Sequence, residues 1–305
     1  MACRWLGITG SLIVTVALVA SGVNSGGSSS AFGSDGSTNV TVYTSLPFDD
    51  VDREQTDDVV KGEKLALSQV NNTVGPCTIS FKQLDDSSAL TYQWEPGPTA
   101  ANARKAAQDR TAIAYIGEFN SSASAISIPI TNTAGLVQIS PSNTALMLTK
   151  NPGPGGKGAP DKYYPTGKHT YARVAPADHI QGAAQAEWMK QLHVKKLFIT
   201  SDKQIYGIGI AKTTRDAARL NGIRVVGNAG IKIRARNYRA LAQKIKSSGA
   251  DAFFFGGITA SNAVRLYQAS TPPIRRSGSS VRMVSPKTPS RDISQRAPSA
   301  TCTSR

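Results

Sequence analysis

Two short polar stretches carry the first chemical signal in this sequence. Asn120, Ser121 and Ser122 follow an apolar run over 112–117 that ends in Gly117. Ser140-Pro-Ser-Asn-Thr144 follows a second apolar run over 136–139. Each stretch offers hydroxyls and free backbone N–H groups. The first also opens a helix, and a helix N-terminus favours an anion such as a carboxylate. Two parallel strands joined by a crossover helix place both exit turns on one sheet edge. Ligands of α/β sheets bind at that edge, outside the carboxyl ends of the strands. The same residue types also make ordinary helix caps and a proline turn, so spacing alone leaves both readings open.

Catalytic and metal patterns are missing. There is no GxSxG elbow, no Cys–His pairing and no phosphate-binding P-loop. Tyr206-Gly-Ile-Gly209 is half of a dinucleotide fingerprint, at a helix start and without the third glycine. The acid pairs Asp49-Asp50, Asp57-Asp58 and Asp85-Asp86 fall at strand or helix ends, where acids cap or face water. His169, His179 and His193 lack metal-ligand spacing. We therefore expect a binding protein, not an enzyme, with no metal and no cofactor.

The elements that must position the polar turns alternate. Residues 39–46 read as a strand, 57–70 as a helix, 77–84 as a strand, 99–110 as an Ala-rich helix and 112–117 as a strand. Residues 149–168, rich in Pro and Gly, read as a surface loop. Residues 169–174 are an extended piece that carries the chain into a second lobe. There the alternation repeats: helix 178–192, strand 195–200, helix 205–221 stopped by Gly222, strand 223–228, helix 238–248 stopped by Gly249, strand 252–255 and helix 261–269. This is the signature of parallel sheets covered on both faces. The predicted fold class is α/β, with two doubly wound parallel-sheet lobes, the first over 39–168 and the second, incomplete, over 169–274.

The chain has 305 residues, 40% of them hydrophobic and 18% charged, and a net charge of +15. Residues 271–305 hold seven Arg and Lys against one acid, Asp292. The other basic residues are scattered among helices and are not striped with aromatics, which argues against nucleic acid. At the N-terminus, Arg4, an apolar stretch over 8–20 and the small residues Ala20-Ser-Gly22 read as an export signal over 1–22. A Ser/Gly-rich linker over 23–38 follows. The window around Leu18–Val23 also resembles a lipoprotein signal, with Val23 where the lipid-bearing Cys belongs; a plain secretory signal is favoured. Cys77 opens an apolar strand and reads as a small buried hydrophobe.

Several motifs together resemble one family: Ser121-Ser122 after IGEFN, ISPSNT over 139–144, YARV over 171–174, SDKQIYGIG over 201–209 and FFFGG over 253–257. They are similar to the substrate-binding proteins of branched-chain amino acid ABC transporters, which are type I periplasmic binding proteins. The resemblance spans about 39–274. It implies a two-lobed clamp that buries an amino acid on closing and hands it to ABC permease subunits, exported to the periplasm or cell surface and peripheral to the membrane. It also implies roles. Ser121 would bind the ligand carboxylate. Ser142, through its backbone, and Thr144, through its hydroxyl, would hold ammonium and carboxylate. Tyr206 would reach across from the second lobe. Asn120 and Asn143 lie in the same two turns, and Ile258 stands where the family often has an aromatic.

The family also places a second-lobe acid against the ammonium, beyond Pro272-Pro273, and no acid matches there. Glu118 is an internal candidate whose strand-end position suits a structural role better. Hydrophobic periodicity stops after Ile274, so residues 275–305 read as disordered, out of frame or the end of a truncated product; a genuine tail on a minimal lobe is the competing reading. An extracellular sensor domain of the same architecture is the alternative function.

Overall fold

β1 (Thr38–Leu46) alternates small and apolar residues and is buried over its second half. It lies third in a six-stranded sheet and takes a parallel partner on each side. The computed structural model describes residues 38–49, 52–91, 93–153 and 156–270, together with the backbone of 282–284. The export signal and almost all of the linker and the basic tail lie outside the described residues.

The first lobe continues with α1 (Arg53–Gln69), β2 (Thr73–Val74), β3 (Cys77–Asp85), the hairpin β4 (Ser87–Ser88) and β5 (Gln93–Trp94), α2 (Pro96–Gln108), β6 (Ala112–Gly117), α3 (Ser121–Thr133), β7 (Val137–Ser140) and β8 (Tyr171–Arg173). Its sheet order is β2-β3-β1-β6-β7-β8, parallel except for β2. α2 and α3 cover one face around buried Tyr43, Ala103, Ala106, Tyr115 and Leu136. On the α1 side the core is smaller, built from Leu46, Phe48 and Val60.

The second lobe holds α4 (Asp178–Gln191), β9 (Lys196–Ser201), α5 (Ile205–Leu220), β10 (Arg224–Gly230), α6 (Arg239–Ser247), β11 (Ala252–Gly256), α7 (Ala263–Ser270) and β12 (Arg282–Val284). Its sheet order is β10-β9-β11-β12, all parallel. The run Phe253-Phe254-Phe255 shows how a strand buried on both faces is written. Phe254 enters the cluster with Leu197, Ile199 and Ile210, while Phe253 and Phe255 enter the opposite one with Phe198, Ile245 and Leu266. A side chain of this size stabilises the fold by about 1.5–3 kcal/mol when fully buried.

The α/β class is as expected, and four local readings change. Residues 171–173 belong to the first lobe, because β8 pairs with β7 in the register Gln138–Tyr171, Ile139–Ala172, Ser140–Arg173. A three-residue strand has no periodicity to announce its sheet. β12 gives the second sheet a fourth strand, inside the stretch read as tail, because parallel pairing asks only for backbone groups in register. The 149–168 loop has a core of its own, with Tyr163 and Tyr164 buried beside Leu148 and Ile128. Tyr164 Oη donates to the Leu148 carbonyl at 2.6 Å. Cys77 is a free thiol of intermediate exposure, not a buried one, since β3 lies toward the sheet edge.

Candidate functional site

Because β1, β6 and β7 run parallel in the first sheet, their exits share one edge, as do those of the parallel strands β9 and β11 in the second. At β6 the chain leaves through Gly117, where φ is +150° and a Cβ would lie 2.7 Å from the Ser45 carbonyl oxygen. Only glycine lets β1 and β6 stay this close at their ends. Asn120 then takes extended backbone as the N-cap of α3, and its Oδ1 is buried with no partner among the described residues.

The two polar turns are joined to each other. Asn143 is 1% exposed. Its Nδ2 donates to the carbonyls of Glu118 at 3.0 Å and Phe119 at 2.8 Å, and its Oδ1 accepts from Tyr171 Oη at 2.9 Å. Ser140 Oγ donates to the Glu118 carbonyl at 2.8 Å, and Ser142 Oγ to the Phe119 carbonyl at 2.6 Å. Glu118 is buried and accepts from Tyr115 Oη at 2.7 Å, which fits its expected structural place. Burial pushes its carboxyl above the usual range.

A cavity of about 500 Å³ lies where these turns meet the second lobe. Asn120, Ser121, Ser142 and Thr144 line it from the first lobe, and Tyr206 and Ile258 from the second. Of the seven residues predicted from sequence, Asn143 alone is not on the wall; its side chain ties the turns together instead. The volume is within the range of small-molecule sites. Among the described residues three direct hydrogen bonds cross between the lobes: Ile205 N–H donates to Ser122 Oγ at 3.0 Å, Gln93 Nε2 donates to the Ala260 carbonyl at 2.8 Å, and Asp178 N–H donates to the Thr144 carbonyl at 2.8 Å.

Sequence reasoning missed several wall residues. Gln55 comes from α1, Phe119 from the first exit turn, Gln181 from α4, Asp202 from the exit of β9, and Tyr267 from α7. The sheet-edge rule used for β6 and β7 would have found Asp202 had it been applied to β9. Gln181, in the first turn of α4, and Tyr267, within α7, carry no local signal. Asp202 is buried; it accepts from Gln204 N–H at 2.9 Å and Ser261 Oγ at 2.8 Å. Burial raises its pKa against those hydrogen bonds. Asp178, the first residue of α4, has no exposed surface, and burial raises it to about 6. Burial, then the charge of Asp178, pushes the Tyr206 phenol up, so it remains a hydrogen-bond donor at neutral pH.

Among the described residues no group of three His, Cys, Asp or Glu could hold a metal ion, and no helix is long and apolar enough to cross a membrane.

A profile of the periplasmic binding protein family matches residues 51–280. The chain belongs to this family. It is 29% identical over 164 residues to an amino acid binding protein of Pseudomonas aeruginosa, an alignment covering 54% of this chain and 40% of that one. It is 24% identical over 229 residues to a leucine-, isoleucine-, valine-, threonine- and alanine-binding protein of the same organism, covering 74% and 54%. The chain therefore spans about half the length of these relatives. Among solved structures, an ABC transporter substrate-binding protein from Desulfitobacterium hafniense superposes with a TM-score of 0.58 at 23% identity, over 76% of this chain and 62% of that one. A solute-binding protein of R. palustris in complex with 4-hydroxybenzoate superposes with a TM-score of 0.63 at 16% identity, over 76% and 57%. These structures share the fold.

Proposed function

We propose that this periplasmic binding protein family member captures a small amino acid, of the branched-chain type, between its lobes for delivery to an ABC permease. It does so as an exported protein and without turnover. One observation carries the reading: six of the seven residues singled out by motif, from both lobes, line a single cavity. Ser121, at the first turn of α3, would take the carboxylate, where leading N–H groups and the helix dipole favour an anion. Ser142, by its backbone, and Thr144, by its hydroxyl, would complete that end. Tyr206 would close over the ligand as a neutral donor. The relatives named for amino acids support this choice. An aromatic carboxylate is the second reading, favoured by Phe119, Tyr206, Phe255 and Tyr267 on the wall.

Calorimetric titration of the full chain with leucine, isoleucine and valine tests the proposal. Saturable binding at one site per chain is expected, with the ligand recovered unchanged. Ser121→Ala and Thr144→Val should each weaken it by about 10- to 100-fold, the loss of a charge-assisted hydrogen bond. Failure of all common amino acids to bind, with an aromatic carboxylate binding instead, would move the assignment to the second reading.

A further inference from the structure

The cavity described above is walled by acids and aromatic rings. A second cavity, of about 710 Å³, has neither among its described wall residues. It lies between the residues that follow β7 and the α5 side of the second lobe. Leu146 and Met147 line it from the first lobe, and Ile199 of β9, Ile205 and Ile208 of α5 and Ala229 of β10 from the second. Its volume is within the range of small-molecule sites. The apolar part of the wall is aliphatic throughout, so it offers no face on which a flat ring could stack. Ile208 is 53% exposed there, and Leu146 and Met147 are only half-buried. An occupant would therefore still remove apolar surface from water.

The charge on this wall has one sign. Lys203, Lys212 and Arg215 line it, with no Asp or Glu among the described wall residues. Two of these cations are partly neutralised from outside the wall. Asp216 takes Lys212 Nζ at 3.0 Å and Arg215 Nε at 3.3 Å on its two oxygens. Lys203 makes no ion pair among the described residues, and its sequence neighbour Asp202 lines the other cavity. The backbone holds Lys203 in place. Its φ is +68°, a region that a side chain other than glycine seldom occupies. A glycine at 230 then gives its stem room at the exit of β10, where a Cβ would lie 2.8 Å from Lys203 Cγ.

We propose that this cavity is a second ligand site, for a free medium-chain fatty acid whose carboxylate pairs with Lys203 and whose chain covers Leu146, Ile205 and Ile208. The unshared cation selects an anionic head, and the aliphatic wall selects a hydrocarbon body. The inference does not depend on the amino-acid reading of the other cavity.

The test titrates the full chain calorimetrically with octanoate, decanoate and octanol, each as monomer. It is repeated with saturating leucine and with the variants Lys203→Gln and Ile208→Ser, and phosphatidylglycerol vesicles form a separate arm. Decanoate should bind at one site per chain, about tenfold tighter than octanoate because two more methylenes are buried. Octanol, with the tail but no charge, should bind about tenfold or more weaker than octanoate. Lys203→Gln should bring octanoate and octanol within about threefold of each other, and Ile208→Ser should weaken all three ligands by about three- to tenfold. Both side chains are exposed, so the two variants should melt as the wild type does. Displacement of decanoate by leucine, or wild-type affinity for it in Lys203→Gln, would place the acid elsewhere and overturn the assignment. So would equal binding of octanoate and octanol to the wild type, or binding to the vesicles with none to monomeric decanoate, which would make the patch a membrane-facing surface. Should leucine itself not bind, the amino-acid reading fails and the Lys203→Gln comparison still decides this one.

Discussion

Glu63 shows how one residue sets a pH response far from the ligand. It sits on α1 beneath β1, where its Oε1 accepts from Thr44 Oγ1 at 3.1 Å and its Oε2 is buried without a partner among the described residues. Burial raises its pKa from 4.5 to about 7 against the opposing hydrogen bond from Thr44. Between those values the folded protein holds a proton that the unfolded chain has released, so stability is greatest below pH 4.5 and falls as pH rises toward 7. Asp178 acts in the same direction, from 3.8 to about 6. Allowing for solvent screening of a part-buried group, Glu63 should account for about 1–2 kcal/mol of the loss. Glu63→Gln keeps the bond to Thr44 and removes the titration. Its melting temperature should match the wild type in mild acid and exceed it in mild alkali; equal melting at both ends would mean that the site admits water and leaves the carboxylate solvated. Nothing in the sequence around Glu63 announces this, because its environment is made by a strand nineteen positions away.

At the scale of elements, the legible parts were those whose signal is local. The apolar runs bounded by turns became β1, β6, β9 and β11, and the helix stops at Gly222 and Gly249 sit at φ of +75° and +66°, as glycine C′ residues should. The illegible parts depend on a distant partner. β8 and β12 are three-residue strands that exist only because an edge with free N–H and C=O groups is beside them. Asn143 looked like a ligand residue because it stands between two that line the cavity, yet its side chain holds the β6 and β7 exits together. The distinction is measurable. Asn143→Ala takes one of the two described donors from each of two carbonyls and the acceptor from a tyrosine hydroxyl, and should cost about 1–3 kcal/mol of stability. Thr144→Val should weaken ligand binding with little change in stability. If Asn143→Ala melts like the wild type and only binding suffers, the asparagine touches ligand after all.

Across the whole molecule, the cavity belongs to neither lobe alone. Its first-lobe wall is fixed by the exits of β6 and β7, its second-lobe wall by those of β9 and β11, and among the described residues Ser122–Ile205, Gln93–Ala260 and Thr144–Asp178 are the direct hydrogen bonds between them. Each lobe has separate cores on the two faces of its own sheet, so each has the means to unfold as a unit. Three hydrogen bonds, each worth about 1 kcal/mol net, couple the lobes only weakly. A ligand that contacts both walls adds its binding free energy to the folded, closed pair. At a concentration one hundred times its dissociation constant this is about 2.7 kcal/mol, or roughly 5–10 °C for a body of this size. Calorimetry without ligand should therefore show a broad or two-part transition, and saturating amino acid should sharpen it into one peak at higher temperature. Tyr206→Ala should bind less tightly and leave the transition divided, because the second-lobe half of the grip is gone. If ligand raises the first-lobe part alone and Tyr206→Ala changes nothing, the ligand is held by the serine and threonine turns of one lobe, and the clamp action assigned to the second lobe is wrong.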